Sequence, residues 1–120
     1  MPCKPGRIIR EDALTSPEDK AALATLYCAL MTDYCLEMIE STGPIIVEGP
    51  FAANDVLCQL LATIRSQQPV LTTPDSSGTS FGAAMLSNGP FAEQQRQLDR
   101  VPTISVLGLQ SYRHKWRGLI

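Results

Sequence analysis

The sequence predicts an α/β chain in which short parallel strands are flanked by helices. Three observations lead there. Two short apolar runs, Ile45 to Glu48 and Val70 to Thr73, read as buried strands. The segment between them is apolar at helical spacing, which makes a strand–helix–strand unit. Two successive buried strands joined by a helix pair in parallel with a right-handed crossover.

Residues 1–15 carry Pro2, Pro5 and Gly6 and one apolar pair, Ile8-Ile9, and form a lead-in segment with room for one short strand. The run "SPEDKAALATLYCALMTDYCLEMIES" then opens with Ser16 as N-cap and Pro17 at the first helical position. Glu18 and Asp19 follow in its first turn. Leu23, Leu26, Tyr27, Leu30, Met31, Tyr34, Met38 and Ile39 recur as one helical face, and Gly43-Pro44 ends the helix. At ~1.5 Å per residue the helix over 16–40 is about 35 Å long.

After the first strand, Gly49-Pro50 turns the chain. A second helix begins near Asn54, with Val56, Leu57, Leu60, Leu61 and Ile64 on one face, and stops before Pro69. "SGTSFGAAMLSNGP" reads as a third helix, rich in small residues and closed by Asn88-Gly89-Pro90. Residues 91–103 are polar and read as loop or loose helix. "SVLGLQSYRHKWRGLI" is a last amphipathic helix through Leu109, Tyr112 and Trp116.

The chain's 120 residues suffice for one domain. A net charge of −2 gives no electrostatic reason to propose nucleic acid or an anionic membrane as partner. Every apolar run is broken by charge, Gly or Pro before the ~20 residues a bilayer needs. The N-terminal residues lack an apolar leader core, which predicts a cytoplasmic protein. Cysteines at 3, 28, 35 and 58 form no CxxC pair, so they are expected to be small buried hydrophobes, Cys28 and Cys35 sharing a helix face. No zinc set is expected with His114 as the one histidine.

Three stretches invite chemistry. Gly78 to Gly82 matches G-x-S-x-G, and Asp99 and His114 follow in the order of a hydrolase triad. The nucleophile elbow needs a strand directly before its serine, whereas residues 74–77 intervene here, so the match reads as a close-packed helix start. "YRHKWR" interleaves basic and aromatic residues, but cations near a helix C-terminus account for it. The turn at Gly49-Pro50 lies at the carboxyl ends of adjacent parallel strands, where such sheets bind ligands. With one glycine, no lysine and a proline lacking an N–H, its chemistry alone reads more as a plain corner than as a phosphate cradle.

"IIVEGPFAANDVLCQLL", "PVLTTPDSSGTSFGAAMLSNG" and "LQSYRHKWRGLI" together resemble the C-terminal end of the FGGY family of carbohydrate kinases. Glu48 to Asn54 falls on that family's glycine turn, and Thr79 to Ala84 on its Thr-x-x-Gly-Ala-Ala run. The resemblance implies the C-terminal portion of a ribonuclease-H-like, actin-like ATPase domain over 16–120. It implies an enzyme that transfers the γ-phosphate of ATP, with Mg²⁺, to a sugar or polyol hydroxyl. Gly49, Pro50, Phe51 and Asn54 are the nucleotide-binding positions it marks. Pro50 stands where a second glycine is usual, and Phe51 where a small residue is usual. The family's catalytic aspartate, phosphate loop and sugar-binding residues belong to earlier segments, so no catalytic or metal residue is assigned. The chain reads as the last quarter of such a kinase, expected to be inactive alone and, with two strands and an over-long apolar helix, to form a homodimer. The rival reading is a self-associating α/β module that binds no nucleotide.

Overall fold

The computed structural model describes residue 8, residues 10–73 and residues 98–120. Outside them lie Cys3, the predicted helix after Gly78 with its G-x-S-x-G and Gly-Ala-Ala runs, and the polar stretch 91–97. Among the described residues, three α-helices and a three-stranded mixed sheet form the architecture: α1 (Pro17–Met38), β1 (Ile45–Val47), α2 (Asp55–Ile64), β2 (Val70–Thr72), β3 (Asp99–Arg100) and α3 (Leu109–Arg117).

α1 starts as its sequence dictates. Ser16 Oγ accepts from the Asp19 amide at 3.1 Å, and Pro17 takes the first helical position. Its end falls earlier than Gly43-Pro44 suggests. Ile39 is the C-cap, the Glu40 amide donates to Glu37 O and the Ser41 amide to Leu36 O. That paired closure needs a left-handed residue after the cap, and Glu40 supplies it at φ 54°.

β1 and β2 pair in parallel, Ile45 opposite Val70 and Val47 opposite Thr72, as the strand–helix–strand unit requires. β2 then pairs antiparallel with β3, Leu71 opposite Arg100 and Thr72 opposite Asp99, so β2 is central. The two-stranded sheet is thereby corrected, and so is the loop or loose helix at Asp99 and Arg100, which add a third strand. The Val101 amide extends it, donating to Val70 O at 2.8 Å. Both residues of β3 are exposed and polar, so the strand exists because β2 has an edge to satisfy, not because of local propensity. In the lead-in, residues Glu11–Ala13 form a 3₁₀ turn and Ile8 is exposed outside any regular element.

α2 is the centre of the core. One side packs Leu57, Leu60 and Ile64 against Ala29 and Leu30 of α1 and Leu109 of α3, with Leu26, Ile104 and Trp116 at the margin. Its other side sets Leu61 and Ala62 against Ile45 and Val70 of the sheet. A helix covered on two sides buries more than one face, which is why Cys58 and Ala62 join the expected residues. Val56, expected inside, is exposed. On α1 the buried row is Leu26, Ala29, Leu30 and Asp33, while Tyr27, Met38 and Ile39 of the expected face are outside. Cys28 and Cys35 do share a face, but the exposed one, which corrects the expectation that they are buried. α3 begins at Leu109 rather than near Ser105, after Gly108 at φ 77°.

Candidate functional site

The carboxyl ends of β1 and β2 lie side by side, the Thr73 amide donating to Val47 O at 3.1 Å. From that end the chain enters a 3₁₀ turn, Gly49–Ala53, before α2. Gly49 has φ 74°, a conformation that disfavours any side chain, and a Cβ there would meet nothing within 4 Å. Its backbone therefore borders open space. Pro50 and Phe51 are exposed, Phe51 at 62%. Asn54 is the N-cap of α2, its Oδ1 accepting from the Leu57 amide at 3.1 Å, so its amide NH₂ is the end left to face outward. Cys58 ties the turn to the helix, its thiol donating to Phe51 O at 3.4 Å. Burial, aided by the negative charge of Asp55, pushes that thiol's pKa up and keeps it protonated. The four marked positions, Gly49, Pro50, Phe51 and Asn54, thus form one short exposed turn on a firm base. Its free groups suit an anion approached by backbone and a flat ring stacked on phenyl.

A second polar centre escaped sequence reasoning. Asp33 has no exposed surface, yet three arginines converge on it. Arg65, at the C-cap of α2, donates Nη1 to Oδ1 at 2.8 Å; Arg113 donates Nε to Oδ2 at 2.6 Å; Arg117 donates Nη2 to Oδ2 at 2.8 Å. Arg117 also pairs with Glu37 at 2.6 Å and lies over the Tyr34 ring. Burial alone would raise the Asp33 pKa, but the hydrogen bonds from Arg113, Arg117 and Arg65 outweigh it and hold the carboxyl below its usual range. With both oxygens engaged, Asp33 has no free lone pair to take a proton from a substrate, so the cluster is a clamp joining α1, α2 and α3. Its partners stand 32, 80 and 84 residues away. The sequence signal that could have found it is Asp33 in one helical row with Leu26 and Leu30, matched by arginines at i and i+4 on α3.

Arg65 and Gln68 continue this network to the loops. Gln68 accepts from Arg65 Nε at 2.6 Å and donates to Gly43 O at 2.7 Å, which fixes how β1 leaves α1. Of the decoy triad, Asp99 sits on β3, His114 is exposed on α3, and Ser80 is outside the described residues. Among the described residues no three His, Cys, Asp or Glu groups gather to hold a metal ion, and no helix is long and apolar enough to cross a membrane.

Residues 2–99 match the model of the family described as carbohydrate kinase FGGY, C-terminal domain. The structure is similar to that of a carbohydrate kinase from Novosphingobium aromaticivorans, at 38% identity and a TM-score of 0.66. That likeness covers 81% of this chain and 21% of the kinase, so the chain spans about a fifth of that kinase's length. No match was found among curated proteins.

Proposed function

The chain belongs to the carbohydrate kinase FGGY family, and on that premise we propose that it supplies the C-terminal part of a ribonuclease-H-like, actin-like nucleotide-binding lobe. In the complete enzyme that lobe serves ATP-dependent phosphorylation of a sugar or polyol hydroxyl in the cytoplasm. The observation carrying this reading is the turn itself. Parallel β1 and β2 end side by side, and the open left-handed Gly49 leads directly into the Asn54-capped α2. Gly49 and Phe51 present backbone to the phosphates of ATP or ADP, Pro50 shapes the turn, and Phe51 and the Asn54 amide face the adenine. Mg²⁺, held at the phosphates, would neutralise charge developing on the transferred group. The turn's share of the work is positioning. Sugar contacts, general base and phosphate loop come from the earlier part of such an enzyme, so residues 16–120 bind nucleotide weakly and turn over nothing. By itself the chain pairs with a second copy.

ADP titration followed by amide NMR tests the site. Shifts clustering at Gly49, Phe51 and Asn54, with millimolar affinity, are expected from a partial cleft. A coupled assay with ATP and a sugar panel should show no turnover, and turnover at ordinary enzyme rates would contradict the assignment. One specific observation favours a second reading, a self-associating module without nucleotide. Pro50 removes a donor, and Asn54 spends its oxygen on the helix. ADP shifts that are scattered or absent would decide for it.

A further inference from the structure

Asn54 belongs to two elements at once. It closes the 3₁₀ turn Gly49–Ala53, and it caps α2. Capping requires an acceptor, so Oδ1 is held against the first turn of α2 by the Leu57 amide at 3.1 Å. The group left to face outward is Nδ2, which offers two N–H donors and no acceptor. The neighbouring acceptors are taken too. Phe51 O receives the Asn54 amide at 3.1 Å and the Cys58 thiol at 3.4 Å, which uses both its lone pairs. Asn54 O receives the Cys58 amide at 3.1 Å. Phe51 lies three residues before Asn54, and in a 3₁₀ turn residues that far apart share a side. An exposed phenylalanine and an exposed asparagine thus stand together.

A base laid on Phe51 meets hydrogen-bond donors at its edge. Stacking on an aromatic ring accepts any base, so the edge decides. An asparagine reads adenine with both ends of its amide, the oxygen taking N6–H and the nitrogen giving to N7. Asn54 has already committed its oxygen to the helix. A single donor nitrogen instead matches purines whose N7 and O6 are both acceptors, as in hypoxanthine and guanine. Asp55, next along and exposed, accepts from adenine N6 or from the N1–H of a 6-oxopurine alike, and so does not separate them. We propose that the turn favours 6-oxopurine nucleotides over adenine nucleotides, with Asn54 as the residue that sets the preference. The inference rests on the nucleotide reading above and specifies the base. The preference is this chain's own share of base selection, to which the earlier part of such an enzyme adds its contacts. ATP still presents N7 to Nδ2, so in the complete enzyme inosine and guanosine triphosphates join ATP as phosphoryl donors.

Inosine and adenosine diphosphates differ only around C6, which makes them the test pair. Amide NMR titrations of the full chain compare ADP, IDP and GDP in one buffer. IDP and GDP should bind about three- to tenfold more tightly than ADP, the worth of one net hydrogen bond. Asn54→Asp keeps the cap, since Asp and Asn cap equally well, and turns a carboxylate oxygen outward in place of the donors. Its added charge weakens every diphosphate alike and cancels in the ratio. The preference should therefore reverse toward ADP with an unchanged far-UV spectrum. ADP binding as tightly as IDP or more so, or a ratio that Asn54→Asp leaves unmoved, would overturn the base preference and leave the nucleotide reading standing. No shift at the turn with any of the three would overturn the nucleotide reading and this preference with it.

Discussion

Asp33 keeps its charge without touching water because three guanidiniums replace the lost hydration. Removing that charge leaves three cations facing one another in partial burial. Asp33→Asn should therefore cost about 3 kcal/mol, the low end for breaking a buried pair, since the arginine side chains stay 13%, 30% and 20% exposed. Urea midpoints at pH 7 measure it. The sign of the acid response follows. The carboxyl's folded pKa is lowered, so its contribution is full above the unfolded value of about 4 and is lost as pH falls through the lower folded value. The wild-type chain should lose stability below pH 4 on this account, and Asp33→Asn should lose less. A second residue-scale contrast concerns thiols. Cys58 is buried, bonded to Phe51 O and shifted away from thiolate, while Cys28 and Cys35 are exposed. Iodoacetamide at pH 8 should modify Cys28 and Cys35 within minutes and leave Cys58 unmodified until the chain unfolds, as read by peptide mass.

The element scale divides cleanly by the range of the forces involved. α1 and α2 were legible because their signals are local: the Ser16-Pro17 start, Asn54 one residue before α2, and apolar residues at helical spacing. The parallel pairing of β1 and β2 was legible for the same reason, a connection that permits little else. β3 was not, because two exposed polar residues carry no strand signal and owe their conformation to the edge of β2. Nor was the true face of α1, since apolar residues surround it and only the positions of α2 and α3 decide which row goes inside. The Asp33 clamp depends on contacts across the chain, and a lone aspartate in an apolar helix reads locally as an exposed interruption. The candidate turn was legible through its resemblance, which marked Asn54 for nucleotide; its role as the cap of α2 came only with the Leu57 amide in place. At the end of α1, local chemistry and structure disagree in a way that can be used. Glu40 sits left-handed at the position where glycine is the usual residue. An L side chain costs about 1–2 kcal/mol there, partly offset by the entropy glycine loses on folding. Glu40→Gly should accordingly stabilise the chain by about 0.5–1 kcal/mol, visible as a higher urea midpoint with an unchanged slope.

At the scale of the molecule, stability depends on α2 being enclosed from both sides. The sheet has strands of three, three and two residues, too short to stand without Leu61 and Ala62 against it. The radius of gyration of 17.0 Å exceeds the ~14 Å of a compact 120-residue domain. Little core is in reserve, so each covering element matters more than its length suggests. α3 is nine residues long but contributes buried Leu109, Trp116 at the core margin, and two of the three arginines on Asp33. Deleting residues 109–120 would strip two ion-pair partners from a fully buried carboxylate, at roughly 3–5 kcal/mol. Exposing the apolar surface beneath Leu109 adds about 2–3 kcal/mol. Together these approach the ~5–15 kcal/mol that a whole domain possesses. A chain ending at Gly108 should thus lose cooperative unfolding altogether, with a broad thermal melt and weak near-ultraviolet dichroism, rather than fold as the same structure less one helix. A sharp transition within a few degrees of the full chain would place the core's stability in α2 and the sheet, and would make the Asp33 clamp an accessory to it.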